Sequence, residues 1–145
     1  MNGKKRSALA IDHGERRCGF AVADPLRLAT TPLVAWRDDA NGPALLDFIA
    51  ALLAQRDVGA FVIGLPYNMD GSEGSRAAQV RTFAALLAAR FPRVPIAFVD
   101  ERLSTKAGED LMRDAAISPR DRKAHKDSFS ALVLLRDWIE AGEPD

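Results

Sequence analysis

Apolar residues in the first third of the chain come in short runs broken by glycine, proline and charge: SALAID at 7–12, CGFAVAD at 18–24 and ATTPLVAW at 29–36. Runs of this length with such punctuation predict a meander of antiparallel strands. The period then changes. Leu45, Phe48, Ile49, Leu52 and Leu53 fall at i, i+3, i+4, i+7 and i+8, one face of a helix that begins after Asn41-Gly42-Pro43. GAFVIG at 59–64 is a continuous apolar run between glycines, as expected of a strand covered on both faces. Ala77, Val80, Phe83, Ala84 and Leu87 predict a second helix, and VPIAFV at 94–99 a fifth strand. Residues 103–116 read as helical although Gly108 interrupts them. A last helix is expected over about 127–140, with Ala131, Leu135 and Trp138 on one stripe.

This order predicts an α/β fold: a mixed five-stranded sheet, three strands antiparallel and two more reached by crossovers, flanked by helices. Ligands of such open sheets bind beyond the carboxyl ends of the parallel strands. Asp12 ends the first strand, Gly64 the fourth and Asp100-Glu101 the fifth, so three loops converge on one rim. With Asp127 opening the last helix, Asp12, Glu101 and Asp127 meet there. Three carboxylates at one point repel each other and are tolerated when partly protonated or neutralised by a cation; an oxygen-rich set of this kind suits Mg²⁺ or Mn²⁺. The arrangement points to phosphodiester cleavage by two ions about 4 Å apart, bridged by Asp12 and completed by Glu101 and Asp127.

Each residue also has a plainer reading. Asp12 before His-Gly is a common strand-ending residue that binds turn amides. Neighbouring side chains at a strand end point to opposite faces, so only one of Asp100 and Glu101 readily joins Asp12. The longer reach of Glu101 favours it, leaving Asp100 to anchor the turn or cap a helix near Ser104. Asp127 lies in line with Ala131 and Leu135, and an N-cap explains that position as metal ligation does. Arg102 is either a phosphate contact or an ion-pair partner of Asp100. The loop GLPYNMDGSEG at 64–74 is ordinary turn chemistry, or it offers Asn68, Ser72 and the helix amides after Gly74 to a phosphate. His13 and His125 read as surface residues rather than general bases. Cys18, Trp36 and Trp138 read as packing residues.

Composition narrows the function. At 145 residues the chain is expected to form a single domain over 1–145 that buries a core without staples. Twenty basic and twenty acidic side chains cancel, which excludes a protein that coats nucleic acid by bulk electrostatics. Binding then depends on local patches: Lys4, Lys5 and Arg6; Arg16 and Arg17; and Arg113, Arg120, Arg122, Lys123, His125 and Lys126. The first two patches are equally well read as solvated surface, whereas the third leads directly to Asp127. The single Cys18 forms no internal disulfide and has no partner at zinc-ligand spacing, which favours a reducing cytoplasm. No run approaches about 20 apolar residues, and the N-terminal MNGKKRS lacks the apolar core of a signal peptide, so neither membrane nor export is expected.

Four motifs carry a resemblance: DxGxxRxGxAxxDP (Asp12, Gly14, Arg17, Gly19, Ala21, Asp24, Pro25), GLPYNMDGSEG (Gly64 to Gly74), DERLST (Asp100 to Thr105), and a closing Asp127 to Ala131. In this order they resemble the YqgF family, also called RuvX, whose members are similar to the Holliday-junction resolvase RuvC and have the ribonuclease H-like fold. The resemblance implies a nuclease linked to 5′-end processing of the small-subunit (pre-16S) ribosomal RNA, with nucleic acid and a ribosome precursor as partners. It also favours Glu101 over Asp100. Junction resolution is the older proposal for the family, and a symmetrical cut of a four-way junction calls for a homodimer. Ser128 and Ser130 stand where the family tends towards alanine or apolar residues, a departure that touches packing. Two rival classes remain. The segment from Asp12 to Asp24 also resembles the first phosphate loop of the actin, chaperone and sugar-kinase ATPases, but those close two such domains around a nucleotide and one is expected here. The other rival is a ribosome- or transcription-associated nucleic-acid-binding module without catalysis.

Overall fold

The computed structural model describes residues 6–101 and 119–145, and of 119–126 the helical backbone alone. The strands are β1 (Ser7–His13), β2 (Cys18–Ala23), β3 (Thr30–Trp36), β4 (Val58–Leu65) and β5 (Ile96–Asp100). The helices are α1 (Pro43–Ala54), α2 (Ser75–Arg90) and α3 (Pro119–Glu140). The helix expected over 103–116, with Arg102 and Arg113, lies outside the described residues. One five-stranded sheet runs in the order β3-β2-β1-β4-β5. β2 is antiparallel to both β1 and β3, while β1, β4 and β5 are parallel, as the pattern of the sequence predicts.

The two faces of the sheet differ in side-chain size. On β1, Leu9 and Ile11 face one core while Ala8 and Ala10 face the other. On β2, Cys18 and Phe20 alternate in the same way with Ala21 and Ala23, and on β4, Phe61, Ile63 and Leu65 alternate with Val62. The large residues pack against α1 and α2 through Leu45, Ile49, Val80, Phe83 and Leu87. The small ones receive α3 through Phe129, Ala131, Leu135 and Trp138. Because interiors pack to near-crystalline density, short side chains on a sheet draw the covering helix close. α3 therefore lies almost on the backbone of β1 and β2.

One boundary differs from expectation. The last helix starts at Pro119, two turns before Asp127. Proline is preorganised for the first helical position, and Arg120, Arg122, Lys123 and Ala124 are good helix formers, so nothing stops the helix there. The eight residues before Asp127 carry no apolar stripe, which is why hydrophobic periodicity starts the helix late. Asp127 is thus a mid-helix residue and not an N-cap.

Ser128 is wholly buried and closes a gap in the sheet. The β2–β3 register shifts between Cys18 and Phe20, which leaves a ladder donor without its strand partner. The Phe20 amide donates instead to Ser128 Oγ at 3.2 Å, and the Ser128 hydroxyl donates to the Leu33 carbonyl. This serine is a pin between α3 and the irregular edge of the sheet.

Candidate functional site

Two glycines flank Asp12 and bring the other acids to it. Asp12 pairs with Gly19 across the β1–β2 ladder. A Cβ on Gly19 would lie 1.7 Å from the Asp127 carbonyl oxygen, so only glycine lets α3 seat its backbone there. On the other side Ile11 pairs with Ile63, which places Gly64 next along β4 beside Asp12. A Cβ on Gly64 would meet Leu134 Cδ1 at 2.6 Å and Glu101 Oε2 at 3.1 Å. Glu101 follows Ala97 and Val99 in strand parity, on the α3 face that Asp12 also shares with Ala8 and Ala10. Its amide donates to the Leu65 carbonyl at 3.2 Å, which fixes the chain at the end of β5. Asp100 has the opposite parity and is exposed.

The electrostatics follow from this packing. Asp12 and Glu101 share a side-chain hydrogen bond. Burial raises the Asp12 carboxyl above the ordinary carboxylate range; the hydrogen bond with Glu101 works against that rise, and the charge of Asp127 adds to it. Glu101 is pushed up to about 8, first by burial, then by the Asp12 charge and the hydrogen bond. At neutral pH the pair therefore holds a shared proton between the two carboxyls.

Asp127 stands apart from this pair. Its Oδ1 lies 3.6 Å from Arg17 Nη1 and its Oδ2 lies 3.5 Å from Arg37 Nη2. Among the described residues no group of three His, Cys, Asp or Glu side chains is already disposed to hold a metal ion. The donors nonetheless suit a divalent cation. Asp12 and Glu101 together hold a proton that a cation would replace, and Asp127 carries a negative charge that now leans on two arginines.

Beside the acids runs a groove of about 430 Å³, lined by Gly14, Glu15, Arg16, Arg17 and Arg76. A tight turn, closed by the Gly14 amide on the Arg17 carbonyl at 2.8 Å, presents Arg16 and Arg17 to it. Arg76, in the first turn of α2, donates to the His13 carbonyl at 2.8 Å and to Gln79. Its charge lowers the pKa of both Asp12 and Glu101. Neither Arg37 nor Arg76 carries a local sequence signal. They become visible only once strand register and the docking of α2 are known.

His13 is not a surface residue. It is buried, stacked on Phe83 with ring centroids 4.3 Å apart, and its Nε2 lies 3.0 Å from the Ala40 carbonyl. Burial is the main cause of its lowered pKa, so it is neutral. Its place in β1 parity after Leu9 and Ile11 was the available signal. The loop at 64–74 closes on itself: Asn68 Nδ2 donates to Ser72 Oγ at 3.1 Å, and the Ser72 amide and hydroxyl both donate to Asp70. The donors of Asn68 and Ser72 are thus engaged within the turn. Cys18 is buried, with its thiol pushed up to about 12, and is an inert packing residue as expected. Trp36 packs on Phe48, and Trp138 is buried against the sheet. Arg120, Arg122, Lys123, His125 and Lys126 fall on the first two turns of α3, and their side chains lie outside the described residues. No helix among the described residues is long and apolar enough to cross a membrane.

The same architecture occurs in solved structures. Thermus thermophilus RuvC, in complex with a Holliday junction substrate, superposes with a TM-score of 0.59 at 15% identity over 95% of this chain and 97% of its own. The fowlpox virus resolvase, with substrate Holliday junction DNA, gives 0.60 at 10% identity over 93% and 97%. At such identities the likeness shows the fold, and that fold is ribonuclease H-like. Curated relatives lie much nearer in sequence. A protein of Roseiflexus sp. (strain RS-1) is 38% identical over 97% of this chain and 99% of its own length. One of Anaeromyxobacter sp. (strain Fw109-5) is 41% identical over 91% and 95%, and one of Rhodobacter capsulatus is 42% identical over 90% and 80%. All three bear the name "Putative pre-16S rRNA nuclease". The family model described as RuvX, Holliday junction resolvase, matches residues 6–141, and the chain belongs to that family.

Proposed function

We propose that this chain is a divalent-metal-dependent nuclease, a single domain acting in the cytoplasm on the 5′ end of the pre-16S ribosomal RNA. The observation that carries the reading is the convergence on Asp12: Glu101 reaches it across Gly64, and α3 delivers Asp127 across Gly19. Asp12 and Glu101 meet at the carboxyl rim of the parallel strands, with the charge of Asp127 acting on Asp12, beside a groove lined with arginines. Names borne by relatives at about 40% identity agree with it.

In this reading Asp12, Glu101 and Asp127 hold Mg²⁺ or Mn²⁺, and Asp100 does not. The bound metal supplies Lewis-acid activation of water and neutralises charge on the phosphate. The chain's own residues do the rest. Glu101 and Asp12 would release their shared proton to solvent, leaving both carboxylates as acceptors able to hold the cation. Arg16, Arg17 and Arg76 hold the backbone phosphates next to the acids, while Arg120, Arg122, Lys123 and Lys126 track the strand further along α3. Asn68, Ser72 and Arg102 are candidates for further phosphate contacts; for the first two, the closed loop at 64–74 has to open.

The family description points also to four-way DNA junctions, for which two copies would have to assemble. A cleavage panel separates the substrates: a precursor fragment of the small-subunit RNA, single-stranded DNA and a four-way junction, each with Mg²⁺, Mn²⁺ or Ca²⁺. Cutting of the RNA fragment with Mg²⁺ or Mn²⁺ is expected. Ca²⁺, larger and loosely coordinated, should bind without activating. Cutting confined to the junction would transfer the assignment to DNA, and no cutting with any metal would leave a binding module.

A further inference from the structure

Arg37 enters neither the motifs nor the arginine-lined groove, yet it is placed by the sheet itself. Cys18 on β2 pairs with Trp36 on β3, so Arg17, one residue before Cys18, and Arg37, one residue after Trp36, leave the ladder side by side. Both reach back to the same carboxylate, one to each oxygen of Asp127, at 3.6 and 3.5 Å. The partners differ sharply in exposure. The Asp127 side chain is 14% exposed, whereas Arg17 and Arg37 are 70% and 61% exposed. Both contacts are long, and pairs with such exposed arginines are weak and easily exchanged.

We infer that Arg37, together with Arg17, is a removable counter-ion of Asp127 which passes to the nucleic-acid backbone when a divalent cation takes the carboxylate. This rests on the nuclease reading above. A mid-helix aspartate largely buried near Asp12 needs positive charge when no metal is present. The arginines supply it without deep burial of their own. Once a cation neutralises Asp127, two solvent-facing guanidinium groups are left at the edge of the site with planar forks suited to phosphate. Metal and nucleic acid then reinforce each other, because each removes a competitor of the other.

The test uses the full chain with Arg37→Gln, the double variant Arg17→Gln/Arg37→Gln, and Arg90→Gln as an exposed control. Mn²⁺ binding is measured by titration calorimetry without nucleic acid. Binding of a labelled single-stranded RNA is measured in Ca²⁺ across a salt series. Loss of each arginine should tighten Mn²⁺ binding by about two- to fivefold, as expected for an exposed ion pair. RNA binding should weaken, with the slope of log affinity against log salt falling by about 0.7 per lost phosphate contact. Arg90→Gln should change neither. Mn²⁺ affinity that is unchanged or weaker in the double variant overturns the inference, as does RNA binding equal to that of the parent chain. If the parent chain cuts RNA with Mn²⁺ while the variants behave like it, the inference alone fails. If the parent chain neither binds Mn²⁺ nor cuts, the nuclease reading fails with it.

Discussion

The two flanks of Asp12 solve the same problem in different ways. On the β2 side a helix backbone presses onto a strand: the missing Cβ of Gly19 makes room for the carbonyl of Asp127, and Ser128 pins the helix to the sheet edge. On the β4 side the room left by Gly64 is filled by side-chain tips, Leu134 Cδ1 and Glu101 Oε2. One flank is backbone against backbone and cannot give. The other is mobile atoms against a strand and can. The rigid flank fixes where the third acid stands, and the compliant flank carries the proton that a metal must displace.

The largest effect expected from this contrast is on stability. Gly19→Ala forces α3 off the sheet and should cost about 3 kcal/mol or more, read by chemical denaturation. Gly64→Ala displaces only flexible tips and should cost about 1 kcal/mol, while slowing cleavage through the shifted Glu101. Equal losses at the two glycines would erase the distinction.

Ser128→Ala comes next. It leaves the buried Phe20 amide without an acceptor at the β2–β3 irregularity, at a cost of about 1–3 kcal/mol. Asp127→Asn should cost less than about 1 kcal/mol in the metal-free chain, since it removes only two long contacts to exposed arginines. A cost near zero for Ser128→Ala, with a large one for Asp127→Asn, would mean that charge and not the serine pin seats the helix.

The compliant flank has a pH signature. Glu101 binds its proton up to about pH 8 in the folded chain, against an ordinary value of 4.5. Between these values the folded state holds a proton that the unfolded state has released. Metal-free stability should therefore fall as pH rises from about 4.5 to about 8 and level off above, by at most about 1.4 kcal/mol per pH unit. In Asp12→Asn the fall should shrink without vanishing, because burial, the first cause of the raised value, remains. A profile identical to that of the parent chain would show that Asp12 and Glu101 do not share the proton.

Much of this architecture is legible in the sequence because strand parity is rigid. The runs ending at Asp12 and Glu101 place both acids at the rim, and the registers of α1 and α2 are read from their apolar stripes. The same parity would have buried His13, which the polar Asp-His-Gly triplet disguised as a turn. What stayed hidden needed tertiary register. The first two turns of α3 are charged and give no periodic signal, so Asp127 reads as the residue that opens the helix. Arg37 and Arg76 are isolated cations whose relevance comes from the β2–β3 pairing and the docking of α2. Ser128 reads as a packing blemish, and only the register shift between Cys18 and Phe20 explains its hydroxyl.

The proposed metal-dependent cleavage site around Asp12 is tested most directly by the rate at which Asp12→Asn cuts a pre-16S RNA fragment with Mn²⁺, measured beside its thermal unfolding midpoint. Cleavage slower by at least about a hundredfold is expected. The midpoint at pH 8 should equal or exceed that of the parent chain, since a buried, repelled charge has been removed. Cleavage at the parent rate by this variant, or cleavage by the parent chain that persists in excess chelator, would contradict the proposed site.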